Sequence, residues 1–111
     1  MAAINLGNIA EDATVYFLWS TNAADGSSVS RDVVGTIRVY KNNSEAFTVL
    51  GITELRDFDS MIGIHNVQID TSVNAFYATA ADYSVVIYHT GIDDVTNINA
   101  PIAYFSIENR V

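Results

Sequence analysis

A chain of 111 residues without cysteine suits one domain with a substantial core, and it excludes disulfides, thiolate metal sites and thiol nucleophiles. Thirteen acidic residues against five basic ones give a net charge of -8, which repels nucleic acid phosphates and anionic membrane surfaces. The apolar runs are shorter than the roughly 20 residues of a membrane-spanning helix, and the N-terminus lacks the pattern of a signal peptide. We therefore expect a protein made in a cytoplasm, with neither nucleic acid nor a membrane as its partner.

Runs rich in β-branched and aromatic residues alternate with turn-forming residues, at the spacing typical of a β-sandwich. The predicted strands are residues 3–9, 13–20, 32–41, 46–53, 62–70, 82–88 and 101–107. The last two carry apolar residues on both faces, which indicates strands inside a sheet. We therefore predict one all-β domain over residues 1–111, a single antiparallel β-sandwich of about seven strands.

The first predicted strand is weak, because Gly7 and Asn8 interrupt a short apolar pattern. Residues 1–9 therefore have two interpretations, an edge strand or an extended docking arm that adds to a neighbouring sheet. An arm could be deleted without unfolding the sandwich, whereas binding to a partner would be lost. The candidate contact residues of this segment are Ile4, Leu6 and Ile9.

Tyr83 stands at the start of the sixth predicted strand, two residues before Val85, which faces inward in the predicted alternation. A tyrosine at this position is typical of the tyrosine corner of immunoglobulin-like sandwiches. The alternative is that Tyr83 packs as one more aromatic side chain on a half-buried strand. The prediction for the fold is thus an immunoglobulin-like sandwich, with this alternative left open.

The sequence offers little for catalysis. His65 and His89 lie on different predicted strands without the spacing of a metal site, so we interpret both as partly exposed strand residues. Ser27 and Ser28 neighbour no histidine and lie outside a Gly-x-Ser-x-Gly motif. We therefore predict that the protein is not an enzyme and has no catalytic residues.

Two acidic turns are the candidate sites for a cation. Asp57 and Asp59 lie in one turn and Asp93 and Asp94 in another, and carboxylates from both could coordinate calcium if the turns met. Acidic loops also simply keep proteins soluble, and no calcium-loop motif is present. We predict neither a metal nor a cofactor.

Aromatic residues are the remaining functional signal. Trp19 lies within an apolar run and is predicted to belong to the core. The tyrosines predicted to be surface or subunit contacts are Tyr16, Tyr40, Tyr88 and Tyr104. The alternative is that exposed aromatic rings stack on sugars, as they do in carbohydrate-binding modules.

A series of short motifs extends from residue 55 onward. The motifs are Asp57-Phe-Asp, Gly63-Ile-His, Ile69-Asp-Thr-Ser, Ala75-Phe-Tyr, Asp82-Tyr and Phe105-Ser-Ile-Glu-Asn-Arg. In this order they resemble the small β-sandwich structural proteins of tailed bacteriophages. In larger phage chains the same module resembles an N-terminal domain of baseplate or fibre proteins.

The resemblance implies a virion structural protein, assembled in the host bacterial cytoplasm and released by lysis. Larger phage proteins continue beyond the module, so we expect a chain of this length to be a capsid decoration, or cement, protein on the outer capsid surface. Its expected partners are the major capsid protein and further copies of itself, with a trimer as one form that suits a symmetric lattice. The alternative is an adhesion module at the tail tip, baseplate or fibre that binds surface glycans.

Overall fold

A computed structural model describes residues 3–108, which form eight β-strands and one short 3-10 turn at Phe58–Ser60. The strands are β1 (Ile4–Ile9), β2 (Thr14–Ser20), β3 (Thr36–Lys41), β4 (Phe47–Thr48), β5 (Ile52–Leu55), β6 (Ile64–Asp70), β7 (Ala81–Ile92) and β8 (Val95–Ile107). Strands β1, β8, β7, β3 and β4 form a five-stranded sheet in that order, and β2, β6 and β5 form a three-stranded sheet. Within the described part of the chain, no helix is long and apolar enough to cross a bilayer.

Alternation of side chains gives each sheet one apolar inner face. In β2, Phe17 and Trp19 are buried, whereas Tyr16 and Leu18 between them are exposed. The two inner faces meet in one core whose buried members include Val15, Phe17, Trp19, Ile37, Val39, Val67, Ile69, Val85, Ile87, Ile102, Phe105 and Ile107. The predicted all-β sandwich is therefore confirmed, and so is the prediction that Trp19 belongs to its core.

The direction of β1 differs from the predicted antiparallel arrangement. β1 pairs in parallel with β8, so that Ile4 lies beside Ala103 and Ile9 beside Ile107. Strands joined by a tight hairpin must run antiparallel, but β1 and β8 come from opposite ends of the chain and carry no such constraint. The two interpretations of residues 1–9 were an arm and an edge strand, and the structure places Ile4–Ile9 at the edge of the five-stranded sheet.

Two predicted strands have different bounds in the structure. Residues 46–53, predicted as one strand, divide into β4 and β5, which belong to different sheets. The chain turns between them at Gly51, where φ is +79° and a Cβ atom would lie 2.5 Å from the carbonyl oxygen of Asp70. The strand predicted from residue 32 begins only at Thr36, after a glycine with φ +100° at position 35. Glycine tolerates these left-handed conformations, which end or redirect a strand.

Tyr83 fixes the loop before β7 to the core. Its hydroxyl donates a hydrogen bond to the carbonyl oxygen of Phe76 at 2.9 Å and accepts one from the N–H of Ala78 at 2.7 Å. Its ring, which is fully buried, stacks on Phe105 with 5.1 Å between centroids. These two hydrogen bonds and the ring contact hold the loop at residues 76–78 against the core.

Candidate interaction surface

The outer face of the five-stranded sheet carries a group of aromatic side chains around one arginine. We call it the aromatic face and define it as Arg38, Tyr40, Phe47, Tyr88 and Tyr104. Strand register brings these residues together, because Tyr40 of β3 lies opposite Phe47 of β4 on one side and Ser84 of β7 on the other. Ser84 in turn lies opposite Tyr104 of β8. Alternation along β3 turns Val39 inward and therefore turns Arg38 and Tyr40 outward.

Arg38 is held between two aromatic rings. Its guanidinium carbon lies 4.1 Å from the centroid of the Phe47 ring and 3.6 Å from that of Tyr88. Nη1 donates a hydrogen bond to the hydroxyl of Tyr40 at 3.2 Å. Contacts of this kind contribute about 0.5–1 kcal/mol each at exposed sites, so the cation is fixed in one position before any partner binds.

The Arg38 Nε–H group is the part of this cluster that its neighbours do not satisfy. Nε is buried, and no residue in the described range accepts a hydrogen bond from it. A buried donor without an acceptor costs free energy, about 1–3 kcal/mol for a neutral group and more for a charged one.

The rings of the aromatic face also contact one another and the neighbouring ring of His89. The ring of Tyr40 lies 5.5 Å from that of Phe47, and Tyr88 stacks on His89 with 3.7 Å between centroids. Phe47 and Tyr104 are 44% and 42% exposed, whereas Tyr40 and Tyr88 are half-buried. The face therefore presents flat, rigid rings of low conformational entropy, which is the chemistry of a contact surface.

The structure brings together only part of the predicted contact residues. Tyr40, Tyr88 and Tyr104 share the aromatic face. Ile4, Leu6 and Ile9 instead lie on β1, and Leu6 and Ile9 pack against the core. Only Ile4 among these three is exposed, so the apolar side chains of β1 act mainly in packing.

His65 is buried, and the prediction that it is partly exposed was wrong. Its Nδ1 accepts a hydrogen bond from the N–H of Asp57 at 3.3 Å, so the proton is assigned to Nε2, which donates to the hydroxyl of Thr21 at 2.9 Å. The imidazole also packs against Trp19, with 4.8 Å between ring centroids. Burial lowers the pKa of His65 and keeps the ring neutral. Both nitrogens are thus occupied by structural hydrogen bonds.

A buried ion pair lies beside this histidine. Arg31 contacts Glu54 through Nη2, and its Nε donates to Glu54 Oε1 at 2.9 Å; the two side chains are 7% and 9% exposed. The second carboxylate oxygen of Glu54 accepts a hydrogen bond from the indole N–H of Trp19 at 3.0 Å. Arg31 also donates to the carbonyl oxygen of Asp32 at 2.8 Å. These groups are fully engaged in joining elements, so we assign them a structural role.

The acidic turns hold no cluster suited to a cation. Over residues 3–108, no three histidine or carboxylate side chains lie close enough together to bind a metal ion. Asp57 instead accepts hydrogen bonds from the hydroxyl of Ser30 and from the N–H of Gly63, and these lower the pKa of its carboxyl group. The carboxylate of Asp57 therefore closes a turn.

No family model, curated protein or solved structure matches this chain. Arg38 and Phe47 are the members of the aromatic face that the sequence did not identify. Arg38 lies within the strand predicted at residues 32–41 and Phe47 within the strand predicted at residues 46–53, and nothing in the local pattern distinguished either residue. Their contact depends on which strands are neighbours, and that information is absent from local patterns.

Proposed function

We propose that this protein is a non-enzymatic structural component of a tailed-phage virion, a decoration protein that binds the outer capsid surface and stabilises it. The phage motifs described above support the virion assignment. The aromatic face is the observation that carries the choice of a binding role, since it offers preorganised rings and a fixed cation. Three polar residues would be the natural candidates for catalysis, namely His65, Arg31 and Glu54. All three are engaged in structural contacts.

The composition of the aromatic face fits a protein partner. Arginine, tyrosine and phenylalanine are enriched at the centres of protein interfaces, and hot spots are often arginines and aromatic residues. The chain carries a net charge of -8, so a face whose central charge is the cation Arg38 differs from the acidic average of its surface. We therefore assign the contact with the major capsid protein to this face, with an acceptor oxygen of that protein opposite Arg38.

The strand order supports the finer assignment of an immunoglobulin-like fold. Such sandwiches place strands C, F and G in one sheet, with C′ added in variable-type domains, and strands A, B, E and D in the other. Here β3, β7, β8 and β4 lie in the larger sheet and β2, β6 and β5 in the smaller one, which is the same division for these seven strands. The first strand differs, because β1 lies in the larger sheet. The hydrogen bonds of Tyr83 at the start of β7 fit the same assignment.

A decoration protein stabilises a capsid by mass action. If the aromatic face binds a surface that exists only in the assembled shell, binding favours that shell by RT ln(1 + [L]/Kd), about 2.7 kcal/mol per site at a hundredfold excess over Kd. No chemical step is required. A rigid sandwich suits this role, because little entropy is lost when it docks.

The test is binding of the full chain to capsids of its own phage prepared without it. We expect co-sedimentation of wild-type protein, and electron cryomicroscopy density on the outer shell with the aromatic face turned to the capsid. Arg38→Ala should weaken binding at least about tenfold, which corresponds to about 1.4 kcal/mol. Arg56→Ala is the control, because it removes an arginine of the same charge from an exposed position outside the aromatic face. Equal binding by both variants would refute the assignment of this face.

The second candidate is a carbohydrate-binding adhesion module at the tail tip, baseplate or fibre. The exposed rings of Phe47 and Tyr104 favour it, since flat aromatic platforms stack on sugars. Density confined to the tail, together with binding on a glycan array that Tyr104→Ala abolishes, would replace the capsid role by this one. Density on the capsid, together with no binding to the glycan array, would exclude the adhesion module.

A further inference from the structure

Strand β2 has an unusually open edge. It is an outer strand of the three-stranded sheet, and all seven of its residues pair with β6 in one unbroken register. Its sequence, Thr-Val-Tyr-Phe-Leu-Trp-Ser, contains no charged residue and no proline. Edge strands normally avoid pairing with other chains through charges, prolines, bulges or very short length. β2 has none of these features.

The other outer strands of the two sheets are each blunted. β1 has an irregular register between Asn5 and Asn8, with Gly7 between them. β4 has two residues, and β5 has four and carries the carboxylate of Glu54. Among the outer strands of the described residues, β2 is therefore the one whose backbone edge has no feature that hinders pairing with another strand.

The hydrogen-bond phase of β2 shows which backbone groups face outward. The N–H of Thr71 donates to the carbonyl oxygen of Ala13, and the N–H of Thr21 donates to that of Gly63, so the odd-numbered residues of this strand bond to β6. In an antiparallel ladder the alternate residues then direct N–H and C=O away from that neighbour. Thr14, Tyr16, Leu18 and Ser20 thus present their backbone groups at the open edge.

We propose that this edge is a self-association site, at which β2 of a second copy of the chain adds in the antiparallel direction. A two-fold axis at Phe17 places Tyr16 opposite Leu18 of the second copy, and Thr14 opposite Ser20. These are the residues whose backbone groups face outward, so each such pair forms two hydrogen bonds. The result is a continuous six-stranded sheet that spans two molecules.

Side chains and charge fit a second copy as the occupant. Tyr16 and Leu18 are 60% and 44% exposed on the outer face of the sheet, and the two-fold arrangement pairs an aromatic ring with an aliphatic side chain twice. Self-complementarity of this kind is what a two-fold interface requires. Each chain has a net charge of -8, yet the seam itself is uncharged, so no carboxylate is buried by pairing. The inference uses β2 alone and does not depend on a capsid role.

The oligomeric state of the purified full chain tests the proposal. At about 100 μM, where a micromolar Kd gives mostly dimer, sedimentation equilibrium should report twice the chain mass of 12.1 kDa. Leu18→Lys adds a charge to the seam and should weaken dimerisation at least about tenfold. Leu55→Lys, the same change at an exposed leucine on the opposite edge of this sheet, should leave the dimer intact. A monomeric wild-type chain, or a dimer that tolerates Leu18→Lys, would overturn the proposal.

The predicted register has its own test. The chain has no cysteine, so Thr14→Cys and Ser20→Cys chains each carry a single thiol. Opposed residues of a hydrogen-bonded pair lie about 5.5 Å apart at Cα, within the range of a disulfide. Under mild oxidation an equal mixture of the two variants should cross-link much faster than either alone. Equal rates in the mixture and the separate samples would contradict the arrangement.

Discussion

The imidazole of His65 is held in its neutral form by both of its nitrogens. Nδ1 accepts a backbone hydrogen bond and Nε2 donates to Thr21, so a second proton would displace the N–H of Asp57. Burial against Trp19 adds the cost of desolvating a cation. The pKa of His65 in the folded protein therefore lies below its ordinary value of 6.5.

This lowered pKa makes stability depend on pH. Because the unfolded chain binds the proton more readily, stability contributed by neutral His65 is present above pH 6.5 and is lost as the pH falls below it. Urea unfolding between about pH 7.5 and pH 5.5 should show this loss, with a slope of at most about 1.4 kcal/mol per pH unit for one proton. His65→Gln should be less stable at neutral pH and should show a flatter profile. A wild-type free energy of unfolding that stays constant over this range would contradict the assignment.

At the scale of elements, β1 is part of the sandwich. It pairs with β8, and its Leu6 and Ile9 side chains pack against the core. We therefore no longer expect the sandwich to keep its full stability when residues 1–9 are deleted. Such a detachable arm would carry few core contacts, whereas β1 supplies both hydrogen bonds and apolar area.

We now expect deletion of residues 1–9 to destabilise the fold by about 2–4 kcal/mol, because burial of two aliphatic side chains is lost. The measurement is the urea midpoint of the deletion variant. A chain lacking only residues 1–3 keeps all of β1 and serves as its control. If the variant lacking residues 1–9 unfolds at the same urea concentration as the wild type, β1 does not stabilise the sandwich and the interpretation as a docking arm is favoured.

The sequence predicted most strands because alternation is a local property. Residues 13–20 and 62–70 became β2 and β6 with bounds shifted by two residues at most. The break between β4 and β5 was missed, because the apolar residues on both sides of Gly51 were interpreted as one run, although a glycine inside a strand pattern is a local signal of a bend. The parallel partner of β1 was equally hidden, since it lies at the far end of the chain.

Local patterns gave a mixed result for the candidate site. Tyr40, Tyr88 and Tyr104 were predicted as contact residues from their residue type, and the structure places them on one face. The position of Arg38 between Phe47 and Tyr88 depends on the pairing of three strands. The burial of His65 had a usable signal. It shares one face of its strand with Val67 and Ile69, and that shared face indicates the core.

At the scale of the whole molecule, the ion pair of Arg31 and Glu54 joins the two sheets. Glu54 lies on β5 of the smaller sheet, and Arg31 pairs with Ile92 and donates to Thr90, both on β7 of the larger one. Removing one charge of a buried pair leaves the other charge buried without a partner, which typically lowers the free energy of unfolding by about 3–5 kcal/mol. The stability of the sandwich therefore depends on this contact as well as on its apolar core.

Glu54→Gln should accordingly lower the free energy of urea unfolding by about 3–5 kcal/mol. Glu45→Gln removes one carboxylate from an exposed turn and should change it by less than about 0.5 kcal/mol. In a cycle with Arg31→Met, the double variant should lose less than the sum of the two single losses, because no buried charge is left alone. Strict additivity would show that the two side chains are not coupled.

The parallel pairing of β1 with β8 also determines how the molecule would carry tension. Residue 4 lies beside residue 103 and residue 9 beside residue 107, so a pull between residues 3 and 108 slides the two strands past each other. In this shear geometry the hydrogen bonds between them are loaded together, whereas a hairpin pulled open breaks its bonds one after another. The same contact that completes the larger sheet thus acts as a mechanical clamp, with its greatest resistance along the axis of the strands.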